Sequence, residues 1–124
     1  MAAESATATY YMAEPVDDAV RLLRGALDAG GLTISGELDM AVRLQRRLHV
    51  ETPACKVLFV SLPASRCRDT RAALAPLHVV VAQRNQHSEV HIVRVPPGEG
   101  ELAQLRTQIA HAIERIAMRA LLCV

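Results

Sequence analysis

Lys56-Val57-Leu58-Phe59-Val60-Ser61-Leu62 is almost wholly apolar, whichever alternate positions are taken together. An extended segment of that kind has two greasy faces, the pattern of a central strand covered on both sides. Pro63 closes it. Working outward, Leu32–Leu38 precedes it, and Leu77–Ala82 and Val90–Val95 follow. Leu32–Leu38 alternates, which puts Leu32, Ile34 and Leu38 on one side and Thr33, Ser35 and Glu37 on the other. The last two runs flank Arg84-Asn85-Gln86-His87-Ser88, read as the turn of an antiparallel hairpin with Asn85 in a turn conformation. Setting Arg84 opposite Ser88 would pair Val80 with Ile92 and His78 with Arg94.

Helical patterns fill most of the remaining chain. Ala6–Ala13 alternates Thr and Tyr with small residues and reads as a first strand. Pro15 then opens a helix, with Asp17 and Asp18 near its positive end and Val16, Ala19, Val20, Leu23, Ala26 and Leu27 as its stripe. Gly30-Gly31 stops it. Asp39 is placed to cap a short helix reaching about His49, with Met40, Leu44 and Leu48 in line. Arg66–Leu74 is expected to be helical. So is Glu101 to Leu121, with Leu102, Leu105, Ile109, Ile113, Ile116 and Ala120 in one stripe. The order is β-α-β-α-β-α-β-β-α. It implies an α/β (α+β) fold, a single five-stranded mixed sheet with about four packed helices. One domain spans 1–124, with its core at about 6–121.

Composition narrows the function classes. A chain of 124 residues, 51% hydrophobic and 22% charged, can bury a core without disulfides or metal. Trp is absent and Phe59 is the sole phenylalanine, which argues against a platform of stacked aromatics. A net charge of +1 gives no general pull toward nucleic acid or an anionic membrane. Cys55, Cys67 and Cys123 form no CxxC pair, so a reducing cytoplasm is expected. The first nine residues lack the features of a secretion signal, and no run reaches the ~18 apolar residues of a membrane span.

The middle of the chain carries a family resemblance. In order come Gly30-Gly31-Leu32-Thr33-Ile34, Glu37-Leu38-Asp39, Leu48-His49-Val50, Pro53-Ala54-Cys55-Lys56-Val57-Leu58, Pro63, and Pro76-Leu77-His78-Val79-Val80-Val81. This series resembles the bacterial and archaeal family called domain of unknown function 302, over roughly residues 6–118. The resemblance implies a small α/β protein with helices packed on one sheet, often a dimer, and no agreed activity. Many relatives carry Cys-Asn-Pro after the third strand and Leu-Pro-Cys-Asn entering the fourth. Here the sites read Ser61-Leu62-Pro63 and Ala75-Pro76-Leu77-His78, so both cysteines are replaced, by Ser61 and Leu77. Metal or redox chemistry that depended on them would be lost.

Several polar residues could still carry chemistry. Glu37 and Asp39 lie two apart, a spacing that suits an acid–base pair, although a wet strand face and a helix cap explain them as well. The resemblance implies that Ser61 and His78 fall at strand ends on one edge of the sheet, where they could make a nucleophile–base pair, but no GxSxG elbow surrounds Ser61. His87 and His91 have HxxxH spacing, which joins ligands only on a helix. Arg43, Arg46 and Arg47, and Arg66, Arg68 and Arg71, form two basic clusters, with Arg66 near an expected helix start that favours anions. The apolar tail Ala120–Val124 is expected to pack on the domain or a partner.

The expectation is therefore a cytoplasmic, non-catalytic module that binds a small ligand or a protein and acts as a homodimer. A second copy would cover the sheet face that helices leave bare. Glu37, Asp39, Ser61, His78 and Arg66 are the ligand-binding candidates. No cofactor, nucleic acid or membrane is expected. The alternatives are a small enzyme with a strand-end cleft at Ser61, Asp39 and His78, and a metal or redox protein, which the replaced cysteines disfavour.

Overall fold

The computed structural model of the chain describes residues 8–61, 77–92 and 101–119. Five strands, β1 (Ala8–Met12), β2 (Thr33–Asp39), β3 (Cys55–Ser61), β4 (Leu77–Arg84) and β5 (His87–Ile92), form one sheet. A two-residue β6 (Met118–Arg119) extends it beside β1. Three helices are described: α1 (Val16–Ala29), α2 (Met40–Leu48) and α3 (Glu101–Glu114). The expected helix at Arg66–Leu74 lies outside the described residues.

The strand order is β2-β3-β4-β5-β1-β6, and every neighbouring pair is antiparallel. The expected mixed sheet is thus corrected to an antiparallel one of α+β class. A helix between two strands suggests a parallel crossover. Here α2 is only nine residues long and turns the chain back onto the adjacent strand. The longer α1 does join two co-directional strands, but β3, β4 and β5 stand between them.

One sheet face carries the core. Leu58, Val60, Val79, Val81, Val90 and Ile92 are fully buried there, with Tyr10 and Met12 from β1. Onto them pack Val16, Ala19, Leu23 and Leu27 of α1, and Leu105, Ile109 and Ile113 of α3. Buried polar groups at the join are matched. Tyr10 Oη donates to Glu114 Oε2 at 3.0 Å, and Ser88 Oγ to the Glu14 carbonyl at 2.7 Å. The Val16 amide, left open at the helix start, donates to Gln83 Oε1 at 3.0 Å. Gly31, at φ 79°, supplies the left-handed residue that releases the chain from α1.

Three local expectations change. The hairpin turn is the two residues Asn85-Gln86, with Asn85 at φ 57°, so Arg84 faces His87, Val79 faces Ile92 and Val80 faces His91. This one-residue difference moves His87, Glu89 and His91 onto the face away from the core, so β5 is polar on its outer side. In β2 a bulge between Ile34 and Gly36 breaks the simple alternation. Ile34 packs against the core, whereas Leu38 pairs with Val57 on the other face, and Glu37 returns to the helix side. Finally, α3 ends at Glu114 rather than near Leu121; Ile116 is exposed and Met118 pairs with Tyr11.

Because Leu23 is wholly enclosed between α1 and the sheet, Leu23→Ala should lower unfolding free energy by about 2–5 kcal/mol. Urea denaturation followed by circular dichroism measures this, with an unchanged slope expected.

Candidate functional site

Two long helices cover one face of the sheet, and the opposite face is the candidate site. Val57 and Phe59 of β3 and Val80 of β4 are only partly buried there. Tyr11 of β1 is 42% exposed. Phe59 lies over Gly36, where an added Cβ would meet its ring at 3.4 Å. His78 sets its ring edge-on to Phe59 at 4.9 Å between centroids, and His87 stacks on Tyr11 at 4.2 Å.

A polar cluster crosses this face toward β1. Glu89 Oε1 lies 3.5 Å from Arg84 Nε and 3.4 Å from His91 Nε2. His91 Nδ1 is 3.1 Å from Thr9 Oγ1. Both ring nitrogens of His91 thus have partners whether the ring is neutral or charged, since the threonine hydroxyl can donate or accept.

α2 borders the same face but hardly buries itself. Asp39 caps it by accepting from the Val42 amide at 3.0 Å, and His49 ends it at φ 55°. None of its side chains is fully buried; Leu48 is 63% exposed and Val42 43%. Between α2 and the strands runs a groove of about 380 Å³, lined by Met40, Leu44, Cys55, Val80, Ala82 and His91 among others. That volume is within the usual range for small-ligand sites. Burial raises the Cys55 thiol above its ordinary 9.0; Arg84 opposes the rise and Asp39 adds to it. At neutral pH the group is a thiol rather than a reactive thiolate.

The residues singled out from sequence do not converge. Glu37 is on the helix side, where Oε1 accepts from Arg24 at 2.9 Å and Oε2 is 3.7 Å from Lys56. Asp39 serves as the α2 cap. Ser61 is buried at the far end of β3, five residues beyond the Lys56 that pairs with Asp39. Five extended residues span about 17 Å, so Asp39 does not share a cleft with Ser61. His78, opposite Phe59, is exposed and on the same face and at the same end as Ser61. Arg66 lies outside the described residues. Sequence reasoning passed over Cys55, Arg84, Met40 and Leu44 as groove residues. Their signal was the amphipathic line of α2 beside a strand with two apolar faces.

On the helix side, Lys56, the sole lysine, lies 3.1 Å from Asp17 Oδ1. The hydrogen bond to Asp17 raises its pKa above 10.5; burial opposes this, and the charges of Asp17, Glu37 and Asp39 reinforce it. Among the described residues, no three His, Cys, Asp or Glu side chains cluster closely enough to hold a metal ion. No described helix is long and apolar enough to cross a membrane.

This arrangement is a small α+β domain in which the long helices α1 and α3 pack on one face of an antiparallel sheet. The model of the family described as domain of unknown function DUF302 matches residues 8–119, and the chain belongs to that family. Its fold is similar to that in the crystal structure of an uncharacterized conserved DUF302 protein from Bacillus stearothermophilus. The TM-score is 0.72 at 16% identity, over 89% of this chain and 97% of that one. No curated protein matches the chain.

Two outcomes test the local chemistry. Iodoacetamide at pH 7.5, read by peptide mass mapping, should modify Cys55 at least about tenfold more slowly in the folded chain than in urea. The folded state holds the Lys56 proton more tightly than the unfolded chain does. The resulting stability is full below 10.5 and disappears as pH climbs through the raised value. Melting temperatures between pH 9 and 12 should therefore fall less steeply in Lys56→Met than in wild type.

Proposed function

We propose that the chain is a non-catalytic binding module that works as a homodimer in the cytoplasm, paired through the open face of its sheet. The observation that carries this reading is the apolar floor of Val57, Phe59 and Val80, only partly buried, beside the exposed ridge of α2. Ridge and floor lie on the same side of one molecule. A two-fold axis through the face therefore sets each α2 along the floor of the other copy, as an isologous contact requires. On the strands, Arg84 and Glu89 give the face one charge of each sign, while Arg43, Arg46 and Arg47 of α2 stand at its border.

The size is adequate. Five strands about 4.8 Å apart and some six residues of about 3.3 Å make a face of roughly 480 Å² in projection. With side-chain relief and α2 added, this approaches the ~800 Å² per partner of a standard interface. Pairing would also roof the groove beside Cys55 and turn an open furrow into an enclosed site for a small, mostly apolar ligand. The enzyme reading gains no support from Ser61 and His78, which lack Asp39 or any other described acid to orient them.

Sedimentation equilibrium at 10 µM and pH 8 should return the mass of two 13.5-kDa chains. Val80→Arg places a charge in the middle of the face and should give a folded monomer with native circular dichroism. A wild-type monomer, or a Val80→Arg dimer of unchanged affinity, would contradict the reading.

A further inference from the structure

The open face holds three of the five histidines, and of these His91 alone lines the groove. His78 stands on β4 and His87 and His91 on β5, all turned away from the core. Histidine is the side chain that ordinarily changes charge between about pH 5 and 8. We propose that these three rings make the association of two copies pH-gated: tight above neutrality and released by mild acid. This rests on the homodimer reading above and adds its regulation.

Among the described residues, few charged groups on the strands face the rings. Glu89 and Arg84 lie beside His87 and His91, and Thr9 and Tyr11 of β1 contribute a hydroxyl and a phenol ring. Across β3 stand Phe59, against His78, and the neutral thiol of Cys55. From α2, the groove receives Met40 and Leu44, Asp39 is engaged at the helix cap, and Arg43, Arg46, Arg47 and the terminal His49 make the ridge basic. With the rings neutral, Arg84 and Glu89 cancel on the strands, and among the described residues the charge left beside the face is that of Arg43, Arg46 and Arg47 on α2. Protonating His78, His87 and His91 adds three positive charges to one negative carboxylate already shared by Arg84 and His91. An isologous contact brings the same three rings of the second copy against them.

In a single copy, water screens those charges and the sheet tolerates them. His91 has the Thr9 hydroxyl and the Glu89 carboxylate as polar neighbours whichever its charge, so the protomer itself is not the element that yields. Between two copies, the same charges are desolvated and alike in sign. Each proton taken up as the copies separate weakens the pair about tenfold per unit fall in pH. Two such protons give about a 100-fold effect.

The test is sedimentation velocity of the full chain from 0.1 to 100 µM at pH 8.0 and pH 5.0, with circular dichroism at each pH. The dissociation constant should be at least about 100-fold higher at pH 5.0 with the spectrum unchanged, and 0.5 M NaCl should recover part of the loss. The combined variant His78→Gln, His87→Gln, His91→Gln should associate equally at both pH values. The single variants, each expected to reduce the ratio, serve if the triple variant does not fold. Equal wild-type affinity at both pH values overturns the switch and leaves the homodimer standing. A monomer at pH 8.0 overturns both. Dissociation that tracks loss of the native spectrum, or persists in the histidine variants, overturns the switch.

Discussion

The governing constraint is an imbalance of cover. β3 and β4 are apolar on both faces, yet the two long helices among the described residues, α1 and α3, pack on the same side of the sheet. Water is thereby kept from Leu58, Val60, Val79 and Val81 but not from Val57, Phe59 and Val80. Burial of hydrocarbon is worth about 25 cal/mol per Å², so a face of this composition gains from any cover that fits. α2 supplies part of that cover at one corner, and its own exposed apolar residues enlarge the uncovered surface. The groove and the proposed pairing both follow from this one imbalance.

The architecture was readable where periodicity was strong. The stripe of α1, the β3 run and the Gly30-Gly31 stop all lie where alternation and spacing place them. Strand direction was less accessible, because a helix between strands is compatible with a parallel crossover or an antiparallel return. The length of the helix and the neighbour it lands beside decide between them. The β2 bulge was not legible either. One extra residue at Ser35 reverses the side on which Glu37 and Leu38 fall, and no residue type announces it except the glycine that follows. The same sensitivity to a single residue displaced the hairpin, where two turn residues replaced three.

The candidate site was harder, for a related reason. Which face a residue occupies depends on register, and Glu89 and His91 join the open face only in the observed pairing. Glu37 and Asp39 are near in sequence but are engaged separately, one with Arg24 and Lys56 and the other with the α2 amide. Cys55 and Leu44 come together across a helix–strand gap that local patterns do not encode. Family membership fixes the scaffold and leaves its task open, since a fold of this kind is a platform on which sites are placed.

The account stands on whether the open face is covered in solution. Carbene footprinting of the purified chain, read residue by residue by mass spectrometry from 0.1 to 100 µM, addresses this directly. Labelling of Val57, Phe59 and Val80 should fall several-fold as concentration rises, while Leu22, exposed on the outer side of α1, stays constant. Heavy labelling of those three residues at every concentration would contradict it.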